Sequence, residues 1–209
     1  MYKNVIFDAD GTLLDSLPGI MAGFNYALEK RGMMPLNAKQ VKPFMGPSIM
    51  DSLVTSLGFT KEDAKKALDD YREFYWDKGY KMCKFYDGIP SLLDKLKKEG
   101  KTLCVATNKP QPFIELILKE KGYFDHFTVI AGADISTTTT DKTPLVKKAN
   151  IDPSSVMVGD RYVDIIAAKK AGIDSIGVLW GSNEEGEFEI YPPTHIAKDM
   201  TELYKVITK

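Results

Sequence analysis

The apolar run VIF (residues 5–7) ends in two aspartates one residue apart, Asp8 and Asp10, followed by Gly11. Other polar groups stand at the ends of further apolar runs: Thr107 and Asn108 after LCVA, and Asp160 with Asp164 in GDRYVD. Lys142, in DKTP, opens a helical pattern. In a parallel sheet, sites form beyond the carboxyl ends of the strands where the strand order reverses. Such a fold would gather these chain-distant groups into one crevice. Carboxylates about 4 Å apart repel by roughly 4 kcal/mol per pair at an effective dielectric of about 20, so a cation has to sit among them. Oxygen-only ligands favour a hard ion that keeps some water and binds phosphate, as Mg²⁺ does. One carboxylate can attack phosphorus and form an aspartyl-phosphate, and a second can protonate the leaving oxygen and later take a proton from water. Thr107, Asn108 and the amides after Asp10 can donate to phosphoryl oxygens, while Lys142 offsets negative charge. Gly11 lets the backbone come close to a phosphate.

The elements that must position these groups are short apolar runs alternating with helical patterns, the signature of a parallel α/β sheet with helices on both faces. Strands are expected at 3–8, 102–107, 127–132, 155–160 and 175–179, with a short sixth at 195–197. Helical patterns cover 112–121, 142–149 and 163–171, the last stopped by Gly172, and another runs from Pro90 through Leu92, Leu93 and Leu96 to Gly100. The alternation fails between Ser16 and Cys83. There Ile20, Phe24, Ala27 and Leu28 recur at helical spacing and stop at Gly32, and Ala64, Ala67, Leu68, Tyr71, Phe74 and Tyr75 form a second stripe behind Thr60 and Asp63, a capping box with Asp in place of Glu or Gln. The expected organisation is a doubly wound Rossmann-like core from residues 1–15 and 84–209, with a helical cap, 16–83, inserted after the first strand. The run TTTT (137–140) reads as a polar surface loop.

The 209 residues suffice for one core with an inserted subdomain, and 44% apolar with 27% charged residues are ordinary globular values. A net charge of −1 argues against a nucleic-acid partner held by electrostatics. Cys83 and Cys104 suggest no disulfide framework. No stretch approaches the ~20 apolar residues that span a bilayer, and no leader precedes the first strand, so the expected location is the cytoplasm. Each candidate also has a plain structural reading. Asp8 and Asp10 before a glycine form a turn with side-chain caps, Thr107 and Asn108 cap a helix, and Lys142 is a solvated lysine. Asp160 and Arg161 form a surface ion pair, and no chemical role for Arg161 follows from the sequence. A calcium loop is excluded, because Gly11 comes too early and no glutamate closes it. His126 and His195 lie outside any ligand pattern, KLKKEGK (95–101) reads as a solvated helix face, and the aromatic stripe at 71–76 reads as cap core rather than a stacking platform.

With DADGTLLDS (8–16), ATN (106–108), Lys142 and GDRYVD (159–164) in this order, the chain resembles the haloacid dehalogenase-like superfamily over essentially its whole length. The resemblance implies Asp8 as nucleophile, Asp10 as general acid/base, and Thr107 and Asn108 as phosphate ligands. It implies Lys142 orienting Asp8, and Mg²⁺ held by Asp8, the carbonyl of Asp10 and Asp160. Asp164 would be a metal-shell ligand or a partner of Lys142. Thr143 stands where many relatives have proline, which leaves the helix start less rigid. The implied activity is hydrolysis of a small phosphorylated metabolite, since dehalogenating relatives lack an acid at the position of Asp10. The segment DSLPGIMAGFNYALEKRG looks most like phosphoglycolate phosphatases. Alternatives are a 5′-nucleotidase, a pyrophosphatase, a sugar phosphomutase (disfavoured by Gly159 where mutases often carry Glu) and a non-catalytic regulatory protein. The loop KPFMGPS (42–48) is expected to point Phe44, Met45, Gly46 and Ser48 into the site and set specificity. Either a monomer or a homodimer is compatible with the sequence.

Overall fold

A computed structural model describes every residue except Pro47 and Thr137–Thr139. Six strands form one parallel sheet: β1 (Asn4–Phe7), β4 (Thr102–Pro110), β5 (Val129–Ala133), β6 (Ser155–Gly159), β7 (Asp174–Val178) and β8 (His195–Ala197), side by side in the order β5-β4-β1-β6-β7-β8. A second, antiparallel pair joins β2 (Leu14–Asp15) to β3 (Lys84–Phe85). The chain leaves β1 for β4 on one side and returns to β6 on the other, so the strand order reverses at the carboxyl end of β1, directly before Asp8.

Alternation along the strands divides the core. Val5, Phe7, Leu103, Val105, Val156 and Val158 face one apolar layer, with Leu92, Leu93 and Leu96 of α5 (Ile89–Lys98), Ile114 and Leu118 of α6 (Gln111–Glu120) and Leu203 of α10 (Met200–Thr208). Ile6, Cys104, Ala106 and Met157 face the other, against Val146 and Ala149 of α7 (Thr143–Ala149) and Ala167 and Ala168 of α8 (Tyr162–Ala171). A strand residue one step along points to the opposite face, so an unbroken apolar run buries both sides of a central strand. Proline sits in the first turn of α5, α6 and α7, where its missing N–H costs nothing. Gly172, left-handed at φ 73°, ends α8.

The expected strands lie where the sequence puts them, with shifted ends: β4 runs on to Pro110 through an irregularity after Thr107. Between β2 and β3 come α1 (Leu17–Glu29), α2 (Ala38–Val41), a 3₁₀ turn at Lys42–Phe44, α3 (Ile49–Asp51) running into a π-helical turn at Ser52–Ser56, and α4 (Lys61–Asp77). α1 and α4 pack through Phe24 and Tyr71, whose ring centroids are 5.4 Å apart, and through Tyr26 and Phe74, 5.3 Å apart. Gly23 permits this approach, since a Cβ there would lie 2.7 Å from the Tyr71 ring. Thr60 caps α4 by accepting from Asp63 N at 3.1 Å, but the shorter Asp63 side chain accepts from the Thr60 hydroxyl instead of reaching back to its amide. The two-residue ribbon β2–β3 and the four-residue helix α9 (Glu187–Ile190) have no periodic signature, being too short to repeat a pattern. Most of the TTTT run lies outside the described residues, as does Pro47 of KPFMGPS.

Candidate active site

Asp8, at the end of β1, is 2% exposed, and Asp160 and Asp164, at the end of β6 and in the first turn of α8, are fully buried. Lys142, the residue before α7, brings its Nζ to 2.8 Å from Asp8 Oδ1 and 2.5 Å from Asp164 Oδ1. The first contact is an ion pair outside hydrogen-bonding geometry, so Asp8 Oδ1 is a buried side-chain oxygen with no hydrogen-bond partner among the described residues. Asp160 is well held, with Thr12 Oγ1 donating to Oδ1 at 3.1 Å and both the amide and hydroxyl of Ser182 donating to Oδ2 at 2.7 Å. Asp164 Oδ2 accepts from Arg161 N at 3.1 Å. The crowding excludes other residues at Gly11 and Gly159, where a Cβ would stand 2.1 Å from Asp160 Oδ2 and 2.2 Å from Asp164 Cγ. Gly11 is also left-handed, φ 83°, and its own amide donates to Leu14 O at 2.9 Å.

The electrostatics follow from burial. Asp8 is raised to about 6 by desolvation, against the pull of Lys142, with Asp164 adding to the rise. Asp160 is raised to about 6 by desolvation and by Asp8, and Asp164 is raised by desolvation. Desolvation alone would lower Lys142, yet Asp164 and Asp8 hold its ammonium above the usual lysine range. One ammonium against three carboxylates leaves this pocket of charge short of cations. Asp8, Asp160 and Asp164 each offer a carboxylate oxygen, all within 4.8 Å of one another. The set is all oxygen, one member carries an oxygen without a hydrogen-bond partner, and a hard divalent cation would relieve the repulsion, so the residues fit such an ion.

Beside this cluster lies a cavity of about 90 Å³. Its polar wall from the sheet side is Asp8, Asp10, Thr107, Asn108, Lys109, Asp134 and Lys142, and the wall from the insertion is mostly apolar, with Phe44, Met45, Leu68, Tyr71 and Tyr75 beside Arg72. Gly46 and Ser48 also line it, so all four residues expected from the loop border the cavity. The Asp10 side chain stands outside the group of three buried aspartates, pairing with Lys109 Nζ at 2.8 and 3.1 Å and accepting from Ser16 Oγ. Among the described residues, the Asn108 side-chain amide donates to two carbonyls, Gly46 O at 3.1 Å and Thr140 O at 3.2 Å. Thr107 Oγ1 accepts from Lys109 N at 3.2 Å.

Several expectations need amending. Tyr71 and Tyr75 are buried, as cap core should be, but they also face the cavity, and Lys109 Nζ sits 4.9 Å from the Tyr75 ring centroid. Trp76 of the same stripe is half-exposed. The helix after Lys142 is not loosened by Thr143: the Thr143 hydroxyl and amide both donate to Asp141 Oδ1, at 2.6 and 3.1 Å, and Pro144 follows in the first turn. Asp160 and Arg161 form no surface pair; Arg161 is buried against Glu187. Lys109 joins the site without a distinguishing mark in the sequence. Its signal was a lysine directly after a polar strand end, indistinguishable in sequence from the many solvated lysines of this chain. Desolvation opposes its charge, but Asp10 holds it above the usual lysine range.

Comparison with known proteins agrees with this geometry. The model of the haloacid dehalogenase-like hydrolases matches residues 5–178. A 5′-nucleotidase of Pseudomonas aeruginosa is 33% identical over 99% of this chain and 96% of its own length. A phosphoglycolate phosphatase of Vibrio vulnificus is 30% identical over 98% and 96%. A solved structure described as a predicted phosphatase, from Clostridium acetobutylicum, superposes with a TM-score of 0.92 at 33% identity, covering 99% of this chain and 98% of that one. No helix among the described residues is long and apolar enough to cross a membrane. With the buried aspartates, the lysine between two of them and the parallel sheet that gathers them, the chain belongs to the haloacid dehalogenase-like hydrolases, as one of their phosphatases.

Proposed function

We propose that this protein is a Mg²⁺-dependent phosphatase that hydrolyses a small phosphomonoester through an aspartyl-phosphate on Asp8. The observation that carries the reading is Asp8 itself: a carboxylate at the cavity wall, with one oxygen lacking a hydrogen-bond partner, backed by Lys142 and two further buried acids. A carboxylate oxygen of Asp8 forms the new bond to phosphorus as the bond to the leaving oxygen breaks. Asp10, on the same wall and beside Lys109, enters the cycle in its protonated form, gives that proton to the leaving oxygen and takes one back from the water that attacks the acyl phosphate, which frees phosphate and regenerates the Asp8 carboxylate. Lys142 holds Asp8 in place and offsets charge, and Thr107 with Asn108 borders the phosphoryl group. Asp8, Asp160 and the Asp10 carbonyl would hold Mg²⁺, with Asp164 at its edge, and the ion would supply charge neutralisation for the phosphoryl oxygens. The helices from residue 16 to 83 act as a cap that excludes water and macromolecules.

For the substrate, a cavity of about 90 Å³ has room for several water-sized groups, the scale of a two-carbon phosphate ester such as phosphoglycolate. The aromatic wall of Phe44, Tyr71 and Tyr75, together with the 5′-nucleotidase relative, supports a second reading, a nucleoside monophosphate bound with the cap further open. A Mg²⁺-supplemented phosphate-release screen over phosphoglycolate, nucleotides, pyrophosphate and sugar phosphates, with Asp8→Asn as the blank, separates these. Phosphoglycolate should lead. Release no faster than the blank for every member would refute the phosphatase reading.

A further inference from the structure

Arg161 touches neither the cavity nor the three clustered aspartates with its side chain, yet it is only 3% exposed. Its Nε donates to both carboxylate oxygens of Glu187, each at 3.1 Å, and Nη2 reaches Glu184 at 3.4 Å. Glu187 is held in turn by Tyr162 N at 2.5 Å and Glu184 N at 3.0 Å. The guanidinium is therefore fixed from the side of the parallel sheet, and its remaining edge faces the inserted loop, with Nη1 donating to Met45 O at 2.5 Å and lying 3.5 Å from Pro43 O. Gly46 makes the approach possible. It is left-handed at φ 99°, and a Cβ there would stand 3.1 Å from Arg161 Cγ. Asn108 reaches the carbonyl of the same Gly46, so two side chains from strand-end segments grip adjacent carbonyls of one loop. The backbone of Arg161 meanwhile donates to Asp164.

We propose that Arg161, clamped by Glu187, is a positioning residue for substrate binding: it latches the loop 42–46 onto the core and so sets Phe44 and Met45 against the cavity. The proposal rests on the phosphatase reading for its kinetic consequence. Specificity would depend on a salt bridge outside the cavity, and the residue after a metal-side aspartate would tie cap closure to the catalytic sheet. An arginine is needed because its planar fork serves a carboxylate and a carbonyl at once; a lysine offers a single point charge, which Glu187 would capture.

Arg161→Lys tests this, since it keeps Glu187 neutralised. Loss of a charge-assisted hydrogen bond corresponds to about a tenfold to hundredfold weakening. The expected result is a KM raised about tenfold or more, kcat within about threefold, and an unchanged Mg²⁺ requirement. Hydrogen exchange without substrate should show the amides of 42–46 exchanging about tenfold faster while those of Ser155–Gly159 stay protected. Glu187→Gln should move both readouts the same way. A fall in kcat at constant KM, or faster exchange spread equally through β6 and α8, would show that Arg161 supports Asp164 or the fold, and would overturn the latch. Unchanged loop exchange overturns it too, even in an active enzyme. A wild type without phosphatase activity, but with faster loop exchange in the variant, sinks the catalytic reading and leaves the latch standing.

Discussion

The two walls of the cavity are built on opposite principles. The wall from the parallel sheet is polar and fixed by charge: Lys142 spans Asp8 and Asp164, Lys109 pairs with Asp10, and Asp160 behind them accepts three hydrogen bonds. The wall from the inserted helices is mostly apolar and aromatic, Arg72 and Ser48 apart, and its loop is anchored through backbone carbonyls that accept from Arg161 and Asn108. Charge tolerates no displacement at this depth, because an acid that loses its partner is left unpaired in a medium that solvates it poorly. An apolar wall held by its backbone keeps its place while its side chains change. The polar wall should therefore govern whether a reaction occurs, and the apolar wall which molecule undergoes it.

The largest effect expected belongs to the polar wall. Asp8→Asn keeps the size and loses the nucleophile, so kcat should fall by about 10⁴-fold or more while the far-ultraviolet circular dichroism is retained. Substantial residual turnover would exclude the covalent route. Next is Asp10→Asn, expected to cost about 10²- to 10⁴-fold with alkyl phosphates and far less with aryl phosphates, whose leaving oxygens need no proton. Equal losses for both would argue that Asp10 does no proton transfer.

A third effect concerns stability. Asp8 and Asp160 are raised from the ordinary aspartate value of 3.8 to about 6 in the folded protein, burial being the first cause for each. The folded state binds more protons than the unfolded chain between these values. The contribution is thus fully present below about pH 4 and lost as the pH rises through about 6, by a few kcal/mol in all. A divalent cation supplies the missing positive charge only where the acids are ionised. The rise in Tm on adding Mg²⁺ should accordingly be larger at about pH 7.5 than at about pH 5, and Asp160→Asn should remove most of the difference. Identical shifts at both pH values would mean that the ion does not sit among these acids.

The two walls also differed in how legible they were. Every member of the polar wall except Lys109 stood at the end of an apolar run or the start of a helical pattern, because a doubly wound sheet converts the end of a strand into a place in the site. Lys109 was hidden by its type: its burial follows from Asp10 and Tyr75, partners far away in the chain. Residues 44–46 and Ser48 were marked by prolines and glycines that break a helix, which locates a loop without saying what holds it. Arg161 was visible and unexplained, since neither Glu187 nor Met45 lies near it in sequence and the helix carrying Glu187 is too short to leave a pattern. Periodicity reports which face is buried; it is silent on pairings across the chain.

If the apolar wall selects the substrate, replacing Phe44 with alanine should change the ranking of substrates by about tenfold in relative kcat/KM, on the scale of the lost apolar contact, while leaving the Mg²⁺ response alone. Loss in equal proportion for all substrates would place Phe44 in support of the chemistry and blur the division between the walls.

The smallest effect is the cleanest separation of the two. Thr60, exposed at the start of α4, caps the helix by accepting from Asp63 N, and the same helix carries Leu68, Tyr71 and Tyr75 to the cavity. Thr60→Ala removes the cap at a cost of about 1 kcal/mol, which for a chain of this size lowers Tm by about 2–4 °C. The cap serves the amides of the first turn, and the cavity residues lie about one to three turns beyond it, with Tyr71 packed on Phe24 of α1. The lowered Tm should therefore come with kcat/KM unchanged for every substrate that the screen identifies. A fall in kcat/KM in step with Tm would show that fraying at one end of α4 reaches the cavity, and that the apolar wall is as intolerant of displacement as the polar one.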